Sequence, residues 1–403
     1  MIDRMQSIEP EDGSIYNLSV WIDTVPVPNN NIANLTIREY VFTSVPTIEL
    51  DIIDDGAFID YNPINAGSVI RVELGLNDAE DYIIEVDFKV TSSDSITTAN
   101  ATNRNYITSI TGYLDVGSYM NGIKSKSFSD STFSSVVTNI AKDNELKSNI
   151  SIESTDAMNW YMLNQTPADF INTHIHKSYI ADDIPFCFID RKKTMNYSSL
   201  KAATSKNVKP YTMQNDVNKK ITSDDVNSSV KYFSSFSISD SSEFNNVLNG
   251  SNGTNYSYYN GDELVTKQSN EDIDAGLVSV FNKLPDSPTT CYKSFGQQSG
   301  THKNYFKAMV DNVRNRQSLL SSSLVINSKA FDHNLMDVIN IEISSGLNRS
   351  NLIERYSGKY VIGGIVHTVA RGTTYNQMLI CYRNGFNKVT SFDKNKEKLK
   401  KVK

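Results

Sequence analysis

Cysteine is nearly absent. Cys187, Cys291 and Cys381 are three thiols spread over 403 residues. They are odd in number and lack the close pairs that a zinc site or a disulfide framework requires, so they read as buried thiols. Histidine is scarce too, at five. His174 and His176 stand closest, but on a helix residues i and i+2 point about 200° apart and do not share a metal. Positive charge is not in excess. With 39 Lys and Arg against 46 Asp and Glu the net charge is −7, which speaks against a basic face for nucleic acid. The longest apolar run, about seven residues around Tyr360 to Val366, falls far short of the roughly 20 needed to span a bilayer. Met1-Ile2-Asp3-Arg4-Met5 has no basic region followed by an apolar stretch, so no signal peptide is read. These absences lead us to expect a soluble chain without a membrane anchor, made in the cytoplasm.

Catalytic motifs are missing as well. No P-loop or Gly-x-Gly-x-x-Gly occurs, and Gly296-Gln297-Gln298-Ser299-Gly300 lacks the Gly-x-Ser-x-Gly order of a nucleophile elbow. Asp51, Asp54, Asp55 and Gly56 hint at a calcium loop, yet Ile53 and Asn62 stand where oxygen ligands are needed. Asp182-Asp183 and Asp224-Asp225 fall in polar loops and read as solvated acids. His367 has no Ser or Cys near it in a nucleophile motif and reads as a core or interface histidine. No catalytic, cofactor-binding or metal-ligating residue is assigned, no cofactor is expected, and the chain is not expected to be an enzyme.

What is present is a β pattern. A 39% hydrophobic, 10% aromatic chain of this length folds as two to four domains. Tyr16 to Ile22 makes one strand-like piece. Alternation then marks Leu35 to Val41, Thr47 to Ile52, Val69 to Leu74, Tyr82 to Phe88 and Tyr106 to Tyr113. Gly56, Pro63 and Gly67 punctuate these runs. Without a helix among them, they predict a small barrel or sandwich over about 35–117.

The next stretch changes period. After a polar run, Ser127 to Thr132, the residues Phe133, Val136, Val137 and Ile140 form one apolar helical stripe ending near Ala141. A polar stretch follows to Asn164-Gln165. Thr166-Pro167-Ala168-Asp169 then announces a helix, with Thr as cap, Pro at the first helical position and Asp at the positive end of the dipole. Phe170, Ile171, His174 and Ile175 are its buried stripe. Pro185 to Ile189 reads as a strand, Asp190 to Lys193 as a turn, and Thr194 to Tyr197 as a return strand.

Residues 198–300 are weakly periodic and rich in Ser, Asn and Asp. They hold a strand candidate at Val230 to Ile238 and a turn at 249–253, and read as strands with long loops. Phe306, Met309, Val310, Val313, Gln317 and Leu320 mark an amphipathic helix. A second β series follows at Ser323 to Ile326, Met336 to Ile343, Gly358 to His367 and Tyr375 to Arg383, the last two forming a hairpin around Arg371 to Thr374. Lys388 to Lys403 carries seven Lys against one Asp and one Glu. It reads as a frayed solvated tail, or as a strap onto an acidic neighbour.

The order of signals from Ser127 to Tyr197, with Gln165, Asp169 and Phe170 before an apolar helix, resembles the inserted α/β domain of contractile-tail hub proteins. These are the baseplate central hubs of contractile-tailed bacteriophages and the hub half of type VI secretion spikes. The closing hairpin resembles that family too, through Gly358, Tyr360, His367, Gly372, Tyr375 and Arg383. A Gly of the family is replaced by His176-Lys177-Ser178, and its Gly-Asp turn by Asn334-Leu335-Met336-Asp337. The resemblance implies a mainly β fold with an α+β insertion, two small tube-like β-barrel domains flanking a small α/β domain. The division would be 1–117, 118–200, 201–387 and a Lys-rich tail at 388–403. The third part would hold a polar insertion at about 240–300 and a helix near 303–320. It also implies a structural baseplate hub, a homotrimer joining the hexameric tail tube protein to the trimeric central spike protein. Other baseplate proteins would surround it, and genome DNA would pass through without sequence-specific binding. The expected place is the virion tail baseplate, after synthesis in the host cytoplasm. The alternatives are a tail-associated cell-wall hydrolase or a carbohydrate-binding β-sandwich protein.

Overall fold

The computed structural model describes residues 16–54, 58, 61–76, 82–100, 103–181, 183–216, 228–240, 254–269, 291–320, 322–344, 355–371, 374–383 and 385. The turn read at 249–253, the Asp224-Asp225 pair, Asp182, Asp55, Gly56, Gly372 and the Lys-rich end lie outside them.

Seven strands come first: β1 (Tyr16–Ile22), β2 (Val25–Pro26), β3 (Ile32–Tyr40), β4 (Thr47–Asp54), β5 (Val69–Leu76), β6 (Tyr82–Asn100) and β7 (Asn103–Leu114). They pair in the order β3-β4-β7-β6-β5-β1-β2, all antiparallel. Alternation drives this as expected, with Leu35, Ile37, Leu50, Ile52, Ile70, Val72, Ile84, Phe88 and Ile110 all buried. Gly67, at φ 95°, lets the chain reverse before β5. The β6–β7 hairpin runs well beyond the apolar segments read from the sequence, pairing as far as Asn100 with Asn103. Those outer residues are mostly Thr, Ser, Asp and Asn and have no sustained apolar period. Their ladder carries hydroxyl pairs instead, Thr91 with Thr111 at 3.0 Å, Ser92 with Thr111 at 2.8 Å and Ser95 with Thr108 at 2.9 Å.

An α/β unit follows: β8 (Lys124–Ser131), α1 (Phe133–Asp143), β9 (Lys147–Ile150), β10 (Met158–Gln165), α2 (Pro167–His174), β11 (Pro185–Ile189), β12 (Thr194–Ser199) and α3 (Leu200–Lys206). Both helices and the hairpin are where the sequence puts them. Two features differ. The run Ser127 to Thr132 is the end of a strand, and only Thr132 caps, accepting from Ser135 N. The supposedly polar stretch before Asn164 holds β9 and β10, because alternate residues Trp160 and Met162 are buried while Asn159, Tyr161 and Leu163 face out. One aromatic cluster fills the interior. Phe133 lies 5.0 Å from Trp160, 6.4 Å from Phe170 and 6.1 Å from Tyr197, centre to centre. Trp160 Nε1 donates to Ser131 O at 2.8 Å, so its one polar atom is satisfied. Buried Asp156 accepts from Phe133 N at 2.8 Å and Tyr179 N at 2.9 Å, tying the start of α1 to the loop after α2.

The remaining strands are β13 (Val208–Asn215), β14 (Val230–Asp240), β15 (Thr254–Asn260), β16 (Glu263–Ser269), β17 (Cys291–Gln297), β18 (Ser322–Ser328), β19 (Val338–Glu342), β20 (Gly358–Ala370) and β21 (Thr374–Arg383), with α4 (Tyr305–Leu320) before β18. Strands β16-β15-β17 form a separate sheet covered by α4 through Tyr256, Tyr258, Phe306 and Val310. The buried face of α4 is more polar than the stripe expected. Gln317 and Leu320 are exposed, while Asn312, Arg314 and Asn315 are buried. Asn312 Nδ2 donates to His176 O at 2.9 Å and Ser178 O at 2.7 Å, so this helix is docked by hydrogen bonds as well as by apolar contact.

The other six strands close into a barrel, β13-β14-β18-β21-β20-β19 and back to β13. Its order repeats that of the first set. Counted along the chain, β1, β3, β4, β5, β6, β7 and β13, β14, β18, β19, β20, β21 are both arranged second, third, sixth, fifth, fourth, first. Neighbours from second to fourth are antiparallel in both sets. Only the first strand differs, β1 being antiparallel to β5 and β13 parallel to β19. The sets share β20, which pairs with β19 over Gly358 to Val361 and with β3 over Gly364 to Ala370. At the handover a Cβ on Gly364 would stand 2.6 Å from Tyr40 Cδ1, and one on Gly363 2.4 Å from Tyr382 Cδ2. Absent Cβ atoms let both rings lie against the strand.

Thr166 Oγ1 accepts from Asp169 N at 3.1 Å and donates to Asp169 Oδ2 at 2.7 Å, with Pro167 opening α2. Thr166→Ala should lower stability by about 1 kcal/mol and Thr166→Ser by much less. Equal losses in urea unfolding would mean that the hydroxyl does not cap.

Candidate functional site

In β3 the inward positions by alternation are Leu35, Ile37 and Glu39, and all three are buried, Glu39 completely, as is Val41 just past the strand. A carboxylate on that face needs a partner. Arg191, from the turn after β11, provides it. Its Nη1 lies 2.9 Å from Glu39 Oε1 and its backbone N–H donates to Oε2 at 3.0 Å. The same guanidinium donates to Ile83 O in β6 at 3.3 Å and to His333 O at 3.1 Å in the turn before β19. One side chain therefore touches the first strand set, its own α/β unit and the approach to the second barrel.

His367 in β20 completes the cluster. Its Nε2 is 3.1 Å from Glu39 Oε1 and its Nδ1 is 2.8 Å from Tyr375 OH. Burial holds this imidazole below its usual pKa, and the Glu39 carboxylate offsets only part of that. The neutral ring then donates from Nε2 to Glu39 and accepts from Tyr375 at Nδ1. Burial pushes the Glu39 carboxyl up, but Arg191 and His367 outweigh it and hold it at about 2. For Arg191, burial likewise opposes the charge and Glu39 more than restores it. Next to this group, His333 Nδ1 is 2.9 Å from Tyr211 OH and Nε2 is 3.1 Å from Ser328 Oγ, and burial lowers its pKa to about 4.

This cluster is an internal junction. Glu39, His367 and His333 are buried and hydrogen-bonded to protein groups. The expected core role of His367 is what the geometry gives. Glu39 and Arg191 were not singled out, although a charged residue in register with Leu35 and Ile37 is a readable sign of a buried partner. Nothing in Asp190-Arg191-Lys192-Lys193 distinguishes the inward arginine.

The other residues weighed from the sequence are dispersed. Tyr360 and Arg383 of the closing hairpin stack with the guanidinium 4.8 Å from the ring centre, and Arg383 donates to Ser357 O and Gly385 O. In place of the Gly-Asp turn, Asn334 N donates to Asp337 Oδ2 at 2.7 Å and Met336 takes φ 65°. Asp183 is not the solvated acid expected. It is buried and accepts from Ile184 N at 2.8 Å and Lys201 N at 3.1 Å at the start of α3. Asp51 lies in β4 and accepts from Ser109 Oγ at 2.6 Å. His174 stacks on Phe170 at 4.4 Å. Cys187 and Cys381 are buried, and burial pushes the Cys187 thiol up to about 12; the side chain of Cys291 lies outside the described residues. Among the described residues no group of three or more His, Cys, Asp or Glu is placed to hold a metal, and no helix is long and apolar enough to cross a membrane.

The junction makes stability fall with acid. Glu39 ionises far lower folded than unfolded, so its contribution is complete above the unfolded value and is lost as pH falls toward about 2. His333 and His367 take up protons more readily when unfolded, so each removes roughly 1.4 kcal/mol per pH unit as pH drops below about 6.5. Urea unfolding across that range should show the slope, reduced in His333→Gln. Arg191→Met, which leaves Glu39 without its cation, should cost about 3–5 kcal/mol at neutral pH. A pH-independent midpoint or a silent Arg191→Met would refute this account.

No protein-family model and no curated protein matches the sequence. Solved structures do match in shape. The 43 kDa tail protein of prophage MuSo2 from Shewanella oneidensis superposes with a TM-score of 0.57 at 10% identity, over 92% of this chain and 98% of that one. The tail protein from Neisseria meningitidis MC58 gives 0.57 at 8% identity, over 92% and 97%. The chain thus has the fold of these two tail proteins, mainly β with a closed six-strand barrel.

Proposed function

We propose that the chain is the central hub of a contractile tail baseplate, a structural ring that joins a sixfold tail tube to a threefold spike and lines the channel for DNA. The observation that carries this reading is the repeated strand order of the two six-strand sets. Three chains, each with two strand sets of like order, would present six similar units around one axis. The α/β unit occurs once per chain and so presents three. Likeness of fold to the two tail proteins agrees with a tail role. In this reading the domains are 1–117, 118–200 and 201–387, the protein resides in the virion baseplate, and its partners are the tube, the spike and neighbouring baseplate proteins. The function is symmetry matching without bond chemistry.

Light scattering at high concentration, or with tube or spike protein added, should give three times 45.1 kDa. Monomer under every condition would sink the ring. Purified chain should also release no sugar or peptide from peptidoglycan. Sustained turnover abolished by changing one carboxylate would replace the hub with the hydrolase.

A further inference from the structure

The strand that joins the two sets has a counterpart that joins nothing among the described residues. β20 pairs with β19 as far as Val361, is bulged against β21 between Ile362 and Gly364, and gives its outer half, Gly364 to Ala370, to β3. Its counterpart, fifth in the first set, is β6. That strand pairs with β5 as far as Lys89 and is bulged against β7 between Val90 and Ser92. The match extends to single bonds. Val90 accepts from Gly67 N and donates to Ser68 O, as Ile362 accepts from Met336 N and donates to Asp337 O, and Gly67 and Met336 both take positive φ. Beyond this point β6 has β7 on one side, and no ladder lies on the other among the described residues.

The counterpart of β3, which receives β20, is β14. Across the ladders Arg38, Thr47, Tyr113 and Lys89 stand in line in the first set, and Ser239, Ser323, Tyr382 and Val361 in the second. Ser239 thus answers to Arg38, Ile238 to Ile37 and Phe236 to Leu35. On its outer side β14 is paired with β13 only over Val230 to Phe233, and no ladder continues along it among the described residues. Burial marks the difference. Leu35 and Ile37, beside β20, are 1% exposed, whereas Phe236 is 38% exposed and Ile238 half-buried. Two uncovered edges, each alike to one half of a ladder already formed within the chain, fit each other. We propose that the outer half of β6 pairs antiparallel with the outer half of β14 of a second copy, in the register of the β20–β3 ladder. Ser93 then lies opposite Asp240, Asp94 opposite Ser239, Ser95 opposite Ile238 and Thr97 opposite Phe236, with no two like charges opposed. Each copy offers one edge of either kind, so the contact runs head to tail and closes a ring. Closure at three copies rests on the hub reading; the ladder itself rests on the repeat.

Disulfide trapping tests the register. Val41 N donates to Gly363 O and Arg371 N to Ala33 O, so Val366 and Arg38 form a non-hydrogen-bonded pair of the β20–β3 ladder. Their counterparts Asp94 and Ser239 should then stand about 4.5 Å apart at Cα, within disulfide reach. Both are exposed in the single chain, so cysteine at either place leaves the core untouched. The full chain with Asp94→Cys and Ser239→Cys, oxidised under each condition of the light-scattering experiment, should give linked species that stop at three times 45.1 kDa on a non-reducing gel. Either change alone should give no more than the unaltered chain. So should Asp94→Cys with Ser235→Cys, which is about 13 Å out of register. A trimer by light scattering that the Asp94–Ser239 pair links no better than these controls overturns the ladder and leaves the ring standing. Linked chains that grow past three keep the ladder and overturn the closed trimer. Monomer under every condition, without the cross-link, overturns both.

Discussion

A buried carboxylate has to be met where it lies, and much of this chain's arrangement answers Glu39. Removing a carboxylate and a guanidinium from water costs several kcal/mol each, so the Glu39–Arg191 pair adds little net stability over an apolar pair of the same volume. What it adds is direction. Apolar surfaces tolerate sliding and rotation, whereas a guanidinium that meets a carboxylate, Ile83 O and His333 O has one arrangement that satisfies all of them. Counting Arg191's own α/β unit, with Glu39 and Ile83 in the first strand set and His333 before β19, three parts of the chain meet there. The junction therefore fixes how the parts sit on one another, while the apolar clusters supply the bulk of the folding energy.

The same relation is written into the backbone. A strand that pairs with β19 at one end and β3 at the other belongs to both strand sets, so neither can turn without breaking a ladder. The handover falls at Gly363-Gly364, next to which the partner on the first set changes from nothing to Tyr40. His367 is three residues further on, so its bond to Glu39 stitches β20 to β3 from the side-chain direction as well. The reversed first strand is consistent with this sharing. In the closed barrel β13 lies between β14 and β19 and seals the ring. In the first set β3 gives the edge that would meet β1 to β20 instead, and among the described residues no ladder joins β1 to β3.

Apolar period made most strands of both sets legible, and capping chemistry made α2 legible almost to the residue, because Thr166, Pro167 and Asp169 act locally. The failures share a cause. The outer β6–β7 hairpin is laced by hydroxyl pairs, β9 by its backbone ladder to β12 and the buried face of α4 in part by Asn312 on backbone carbonyls, none of which leaves a hydrophobic pattern. Strand β10 does alternate, but Asn and Gln around Trp160 and Met162 masked it. Of the junction, His367 was readable as a core histidine and Glu39 could have been read from its register. Arg191 could not, since an inward arginine in a turn looks like an outward one until the partner is located in space.

Polar contacts recur wherever one apolar cluster meets another. Asn312 of α4 reaches the carbonyls of His176 and Ser178, and Arg316 donates to Pro185 O while lying 5.5 Å from the centre of the Phe186 ring. Burial lowers the Arg316 pKa to about 10, which still leaves it charged at neutral pH. The insertion sheet is thus linked to the α/β unit, as the two strand sets are to each other, through charged or amide donors facing backbone carbonyls. Such contacts fix an angle better than they add stability. In the proposed ring, an angular error between the two strand sets of one chain would be repeated in every copy. A chain under that constraint gains more from directional junctions than from larger cores.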